Sequence, residues 1–171
     1  MKKILLMIML IAFSLDGYSL QKGGVVSPAA SAARSRVTFI YQNMFKLYAS
    51  DQDNSDTGVG LQYMSSDYLK LWNKISRIDA RNPGDIGFFD SDHWIQGQDW
   101  CSPKFEVGPV TIVVKNKAKA VVWIKDCGSN ATKVVLSLVF ERQNWFIDDF
   151  IVQGSSEKRS MLDYINVNST N

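Results

Sequence analysis

The sequence predicts an α+β fold, in which N-terminal helices pack on a curved four-stranded antiparallel meander. Three observations carry that prediction. Up to about residue 80, large apolar residues recur at three- and four-residue steps, and after Pro103 the texture turns to β-branched and aromatic alternation. The breaks between the later runs are of hairpin length, too short for a parallel crossover. Helices first and strands last is the layout of a segregated α+β domain.

The first helix is expected where Val37, Ile40, Tyr41, Met44, Leu47 and Tyr48 line one face. Gln21 to Arg36, rich in Gly, Ala and Ser, reads as an arm leading into it, with Ser27-Pro28 a candidate N-cap and first helical position. A polar loop follows from Asp51 to Gly60, with three acids and no base. Met64, Tyr68, Leu71, Trp72, Ile75 and Ile78 mark a second helix, for which Ser65, Ser66 and Asp67 are the candidate caps. Asn82-Pro83-Gly84 breaks it.

Residues 84–105 are irregular. The expected strands are Val107–Lys115, Ala118–Asp126, Thr132–Glu141 and Trp145–Gln153, separated by Asn116-Lys117, Gly128-Ser129-Asn130 and Gln143-Asn144. A short last helix is expected over Ser156–Ile165, using Met161, Leu162 and Ile165.

Composition bounds the function. Of 171 residues 46% are hydrophobic and 21% charged, with 19 basic against 17 acidic side chains, which excludes a disordered chain and a strong nucleic-acid footprint. No internal repeat is present, so a solenoid or propeller is excluded.

Lys2-Lys3, the apolar run Ile4–Leu15 and the small residues Gly17 and Ser19 have the layout of a secretory signal peptide cut before Leu20. The run is short for a bilayer span, and no second apolar stretch reaches that length. The expected organisation is therefore a signal peptide at 1–19, a flexible arm at 20–36, one α+β domain at 37–165 and a C-terminal tail at 166–171. No transmembrane segment remains after cleavage, and the near-neutral balance gives no argument for membrane-surface binding. The two cysteines, Cys101 and Cys127, are expected to form a disulfide in an exported protein, stabilising by about 3.5 kcal/mol in the chain-entropy model. A redox or metal-binding pair would want a closer spacing and a neighbouring His.

Gln98-Asp99-Trp100, preceded by Asp90-Ser91-Asp92, resembles the Q-D-W region of the family known as domain of unknown function 3828. Asn144-Trp145-Phe146-Ile147-Asp148-Asp149-Phe150 is similar to that family's W-x-I-D-D last strand, and Ser160–Tyr164 to its closing segment. The likeness spans about residues 37–165, and Cys101 has no counterpart in the pattern. It implies a bacterial envelope protein, periplasmic or lipid-anchored, with a cone-like fold similar to nuclear transport factor 2. The family has no established catalytic residues. Some small exported proteins of this general kind are immunity partners of secreted toxins, an analogy at the level of fold.

No motif fixes a chemistry. His93 is the only histidine, which excludes multi-His metal sites. Asp90-x-Asp92-His93 lacks the glycine and the closing glutamate of a calcium loop, so no metal and no cofactor is expected. Asp148 and Asp149 are adjacent on a strand and should point to opposite faces, which bars a paired-carboxylate site. One of them, with His93, is the only candidate acid or base; the alternative role is a hydrogen bond that ties a loop to the sheet. There is no nucleophile elbow and no phosphate loop. Lys115, Lys117 and Lys119 read as a solvated hairpin turn.

The acidic, aromatic stretch is the more informative signal, with four acids and no lysine or arginine in residues 84–100. Its aromatics either anchor a partner or plug the open end of the sheet. The expected function is an exported, non-enzymatic binding domain contacting an envelope protein, a toxin or enzyme, through Asp90, Asp92, His93, Trp94, Asp99 and Trp100. The competing reading is a small-ligand or hydrolytic pocket using Asp148, Asp149 or His93. Oligomeric state leaves no mark in the sequence.

Overall fold

The computed structural model describes residues 26–50, 58, 60–81, 87–89, 92–96, 102–125 and 131–169. The expected signal peptide, both cysteines of the expected disulfide, and Asp90, Asp99 and Trp100 lie outside the described residues.

Helix α1 runs from Pro28 to Tyr48 and begins at the expected cap, with Ser27 Oγ accepting from Ala30 N at 3.2 Å. Residues 28–36, expected as arm, are helical. Ala30 and Ala33 extend the buried face of Val37, Ile40, Tyr41 and Met44 by two more turns, and alanine is the strongest helix former. Small residues carry no large-apolar periodicity, which is why this half of the helix reads as loose chain.

After a 3₁₀ turn at Leu61–Tyr63, α2 spans Ser66–Asp79. Ser65 is its N-cap, accepting from Tyr68 N at 3.0 Å, and Tyr68, Leu71, Trp72, Ile75 and Ile78 form its buried face. Gly60, at φ +86, has no room for a side chain, because a Cβ there would lie 2.6 Å from the Trp94 indole. Trp94 is thereby folded into the core.

The sheet is an antiparallel meander in the order β1-β2-β3-β4-β5: Lys104–Val114, Lys117–Lys125, Thr132–Glu141, Asn144–Val152 and Ser155–Ser156. Cross-strand pairs Ala118↔Leu138, Ala120↔Leu136 and Val122↔Val134 put one face of the sheet into the same core as α1 and α2. The helix α1 lies against β1 and β2, and α3 (Glu157–Asn168) against α2 and β4.

The expectation of four strands is corrected to five. Gln153 (φ 50) and Gly154 (φ 86) form a two-residue turn with both residues left-handed, the geometry that matches strand twist, and it folds β5 back on β4. A strand of two serines has no apolar pattern, so only the turn residues could have announced it. β5 matters because it delivers the chain directly to α3, whose last turn also takes in residues 166–168 of the expected tail.

Strand β4 carries a second departure. Its register against β3 shifts after Ser137, where Ser137 pairs with Asp149 and Leu138 with Ile147, so Asp148 is an extra bulged residue. On its other edge β4 is met by Met64, bridged in parallel to Ile147, while Ser65 N donates to Ile147 O at 2.7 Å.

Candidate functional site

The bulge changes what the two strand carboxylates do. Strict alternation would send Asp148 and Asp149 to opposite faces, yet both accept from Lys158: its Nζ meets Asp148 Oδ1 at 2.8 Å and its backbone N meets Asp149 Oδ1 at 2.8 Å. The premise of alternation fails at a bulge. Asp148 also accepts from Ser65 Oγ at 2.5 Å, and buried Asp149 from Ser156 Oγ at 2.6 Å. Ser156 in turn caps α3 by accepting from Arg159 N at 3.1 Å. Asp148 ties the start of α2 and Asp149 the start of α3 to the sheet. These are anchoring bonds, and an anion at the first turn of α3 also suits the positive end of the helix dipole.

Beside this anchor lies a cavity of about 330 Å³, lined among others by Phe88, Phe89, Asp92, His93, Phe150 and Glu157. The loop, the last strand and the first turn of α3 meet there. Asp92 shapes the loop: its Oδ1 accepts from Trp94 N at 2.6 Å and its Oδ2 from the Tyr48 hydroxyl, while Gln96 N closes the turn on Asp92 O at 2.9 Å. A short side chain bonded to amides two and three residues on is the ordinary reason for aspartate at a turn.

His93 stacks on Phe150, with ring centroids 4.4 Å apart, and its Nδ1 stands 3.7 Å from Glu157 Oε1. That glutamate oxygen also accepts from the Tyr68 hydroxyl. Burial pushes the Glu157 carboxyl above its ordinary value, opposed by His93 and by the Tyr68 bond. The Tyr68 hydroxyl is itself driven up by burial and by Glu157. Among the described residues His93 Nε2 has no hydrogen-bond partner, and neither have the buried Tyr41 hydroxyl and Trp94 Nε1 nearby. The cavity therefore holds two carboxylates, one imidazole and a wall of aromatic rings, with no lysine or arginine among its lining residues.

Of the residues expected to bind, Asp92 and His93 are brought together at this mouth. Trp94 is not available there. It is 2% exposed and packs edge-on against Tyr41 and Phe150, so it plugs the core. Phe88 is held at the rim by its backbone N on Asp79 Oδ2 and by Tyr164, whose hydroxyl donates to Asp79 Oδ1 at 2.6 Å. Glu157 and Tyr68 escaped the sequence reading. Glu157 sits in the first turn of a helix, where an acid is commonplace, and Tyr68 falls on a core stripe; neither signals a partner 89 residues away.

Among the described residues no group of three His, Cys, Asp or Glu side chains could hold a metal ion, and no helix is long and apolar enough to cross a membrane. Comparison with protein families, with curated proteins and with solved structures finds no match for this chain.

Proposed function

We propose that this chain is an exported, non-enzymatic binding domain of the bacterial envelope, and that its mouth receives a basic side chain from a protein partner such as a secreted toxin or an envelope enzyme. In this reading residues 1–19 are a signal peptide, the protein works in the periplasm, and Cys101 and Cys127 close a disulfide. The fold is of the cone-like kind similar to nuclear transport factor 2, and the family is the domain of unknown function 3828 that the Asp90–Trp100 and Trp145–Phe150 motifs resemble. The partner would be held as an immunity or inhibitor protein holds its target.

The observation that carries the reading is the composition of the mouth. Asp92 and Glu157 face a half-open cavity beside Phe88 and Phe89, with no lysine or arginine among the lining residues. Aromatic faces and carboxylates together favour a guanidinium or ammonium group. Asp149 already accepts from the first-turn amide of Lys158 in α3, so that donor is not offered to a negative ligand.

The test is affinity capture from envelope extract with the wild type and with a double variant, Asp92→Asn with Glu157→Gln. A partner that is retained by the wild type, released by salt and lost from the folded double variant is the expected result. Recovery of no partner, or of the same partner by both proteins, would count decisively against it.

One observation favours a second reading, an acid/base pocket. Glu157 combines a raised carboxyl with an imidazole at 3.7 Å and a tyrosine hydroxyl, and perturbed groups of this kind gather at reactive sites. Asp148 and Asp149, expected in that role, are committed to Lys158 and the helix caps. A hydrolytic activity that Glu157→Gln abolishes while the fold survives would replace the first reading by this one.

A further inference from the structure

We propose that the groove between α2 and α3 docks an acidic peptide segment of a partner protein, one that carries an apolar side chain among its carboxylates. Lys70, Lys74 and Arg77 are exposed at the spacing of one helix face on α2. Lys158 of α3 borders the same groove, an open cleft of about 510 Å³. Its apolar part is Leu71, which is buried, and Leu162, which is 45% exposed.

Part of the charge in this groove is uncompensated. Asp67 is the only acid that lines it, and Asp67 is paired with Lys70 at 2.9 Å. Lys158 answers Asp148. Lys74 and Arg77 have no ion pair or hydrogen bond among the described residues. Like charges three and four residues apart repel along a helix, so the free protein is relieved when acids settle on this row. A solvated face would need neither the cleft nor the exposed leucine at its side.

The shape selects a peptide over a lipid surface. A bilayer is broad and flat, whereas the cleft between two packed helices is a recess of about 510 Å³ that an extended or helical segment can enter with one apolar side chain pointed at Leu162. The proposal is independent of the acidic mouth, since it uses no residue of that cavity.

The experiment measures binding of the purified protein to a fluorescein-labelled peptide of glutamates with a central leucine. A copy with serine in place of that leucine, and vesicles of phosphatidylcholine with phosphatidylglycerol, run beside it. We expect the leucine peptide to bind best, to weaken with salt, and to lose about tenfold or more in affinity with K74E/R77E, because like charges are then set against each other. Leu162→Ser should erase the preference for leucine over serine. The Asp92→Asn/Glu157→Gln protein should bind the peptide as the wild type does, so failure of the mouth and failure of the groove are told apart. Peptide binding untouched by K74E/R77E would overturn the proposal, as would binding to the vesicles alone. So would self-association that the same substitutions abolish, which would make a second copy the occupant. Should K74E/R77E fail to fold by circular dichroism, K74Q/R77Q asks the same question with neutral side chains.

Discussion

The acidic mouth and the basic groove share the first turn of α3, which gives Glu157 to one and Lys158 to the other, yet they handle charge in opposite ways. At the mouth every acid among the lining residues is also wired into the fold: Asp92 holds its own turn and Tyr48, and Glu157 holds Tyr68. In the groove Lys74 and Arg77 make no ion pair or hydrogen bond among the described residues. The difference teaches where function and stability can be separated by substitution. A change at the mouth disturbs both; a change on the α2 row disturbs only what docks there.

The largest break in that comparison comes from Trp94, the residue that joins the mouth to the core. Trp94→Ala should cost about 3–5 kcal/mol, the range for emptying a buried aromatic site. Urea unfolding followed by circular dichroism measures it. A loss below about 1 kcal/mol, ordinary for a surface site, would mean that the mouth is a loosely attached loop.

Next in size is Asp149→Ala. It removes the acceptor for Ser156 Oγ and Lys158 N, leaving a helix terminus short of partners under a buried strand, for about 1–3 kcal/mol. Hydrogen exchange should show the amides at the start of α3 opening well before those of β2 and β3. Uniform loss of protection across the sheet would place Asp149 in the global core rather than at the joint of the two sites.

How much of this was legible in the sequence follows the range of each signal. Periodicity and caps act within a few residues, so α2 with Ser65 among its three candidate caps, the start of the last helix near Ser156 and the four long strands could be read to within a few residues. The start of α1 at Ser27-Pro28 was legible from its cap, but the half built on Ala30 and Ala33 read as an arm because alanine packs without announcing an apolar face. β5 and the Asp148 bulge were missed for another reason: both depend on pairing with β4 or β3 rather than on their own residues. At the mouth, Asp92 and His93 stood out as a short charged run. Glu157 and Tyr68 did not, because their meeting is made by the α2–α3 packing, and no local pattern encodes a contact of that separation.

A smaller effect, and a sharper one, comes from the pH dependence of Glu157. Burial keeps its proton on to higher pH than in the unfolded chain, so above the ordinary glutamate range the native state binds more protons than the unfolded one. Stability from this group is therefore full below that range and falls as pH rises through the elevated value. Glu157→Gln removes the titration while keeping a hydrogen-bonding side chain. Its melting temperature should shift upward relative to the wild type as pH is raised from about 4 to about 7, across the usual carboxylate range. A difference that stays flat over that span would show that Glu157 is solvated, and the mouth would then lose its buried charge.

The smallest expected effect is the one that tests the other half of the comparison. Lys74 and Arg77 are exposed and make no bond among the described residues, so K74Q/R77Q should leave stability within about 0.5 kcal/mol of the wild type, as surface changes away from caps and networks do. A gain is the direction to expect inside that margin, because two repelling cations leave one helix face. Guanidinium unfolding masks charge effects by its own ionic strength, so urea at low salt is the measurement, repeated with added sodium chloride. The gain should shrink as salt rises. A loss of more than about 1 kcal/mol would show that the α2 row carries structure after all, and the clean separation between a wired mouth and a free groove would fail at the groove.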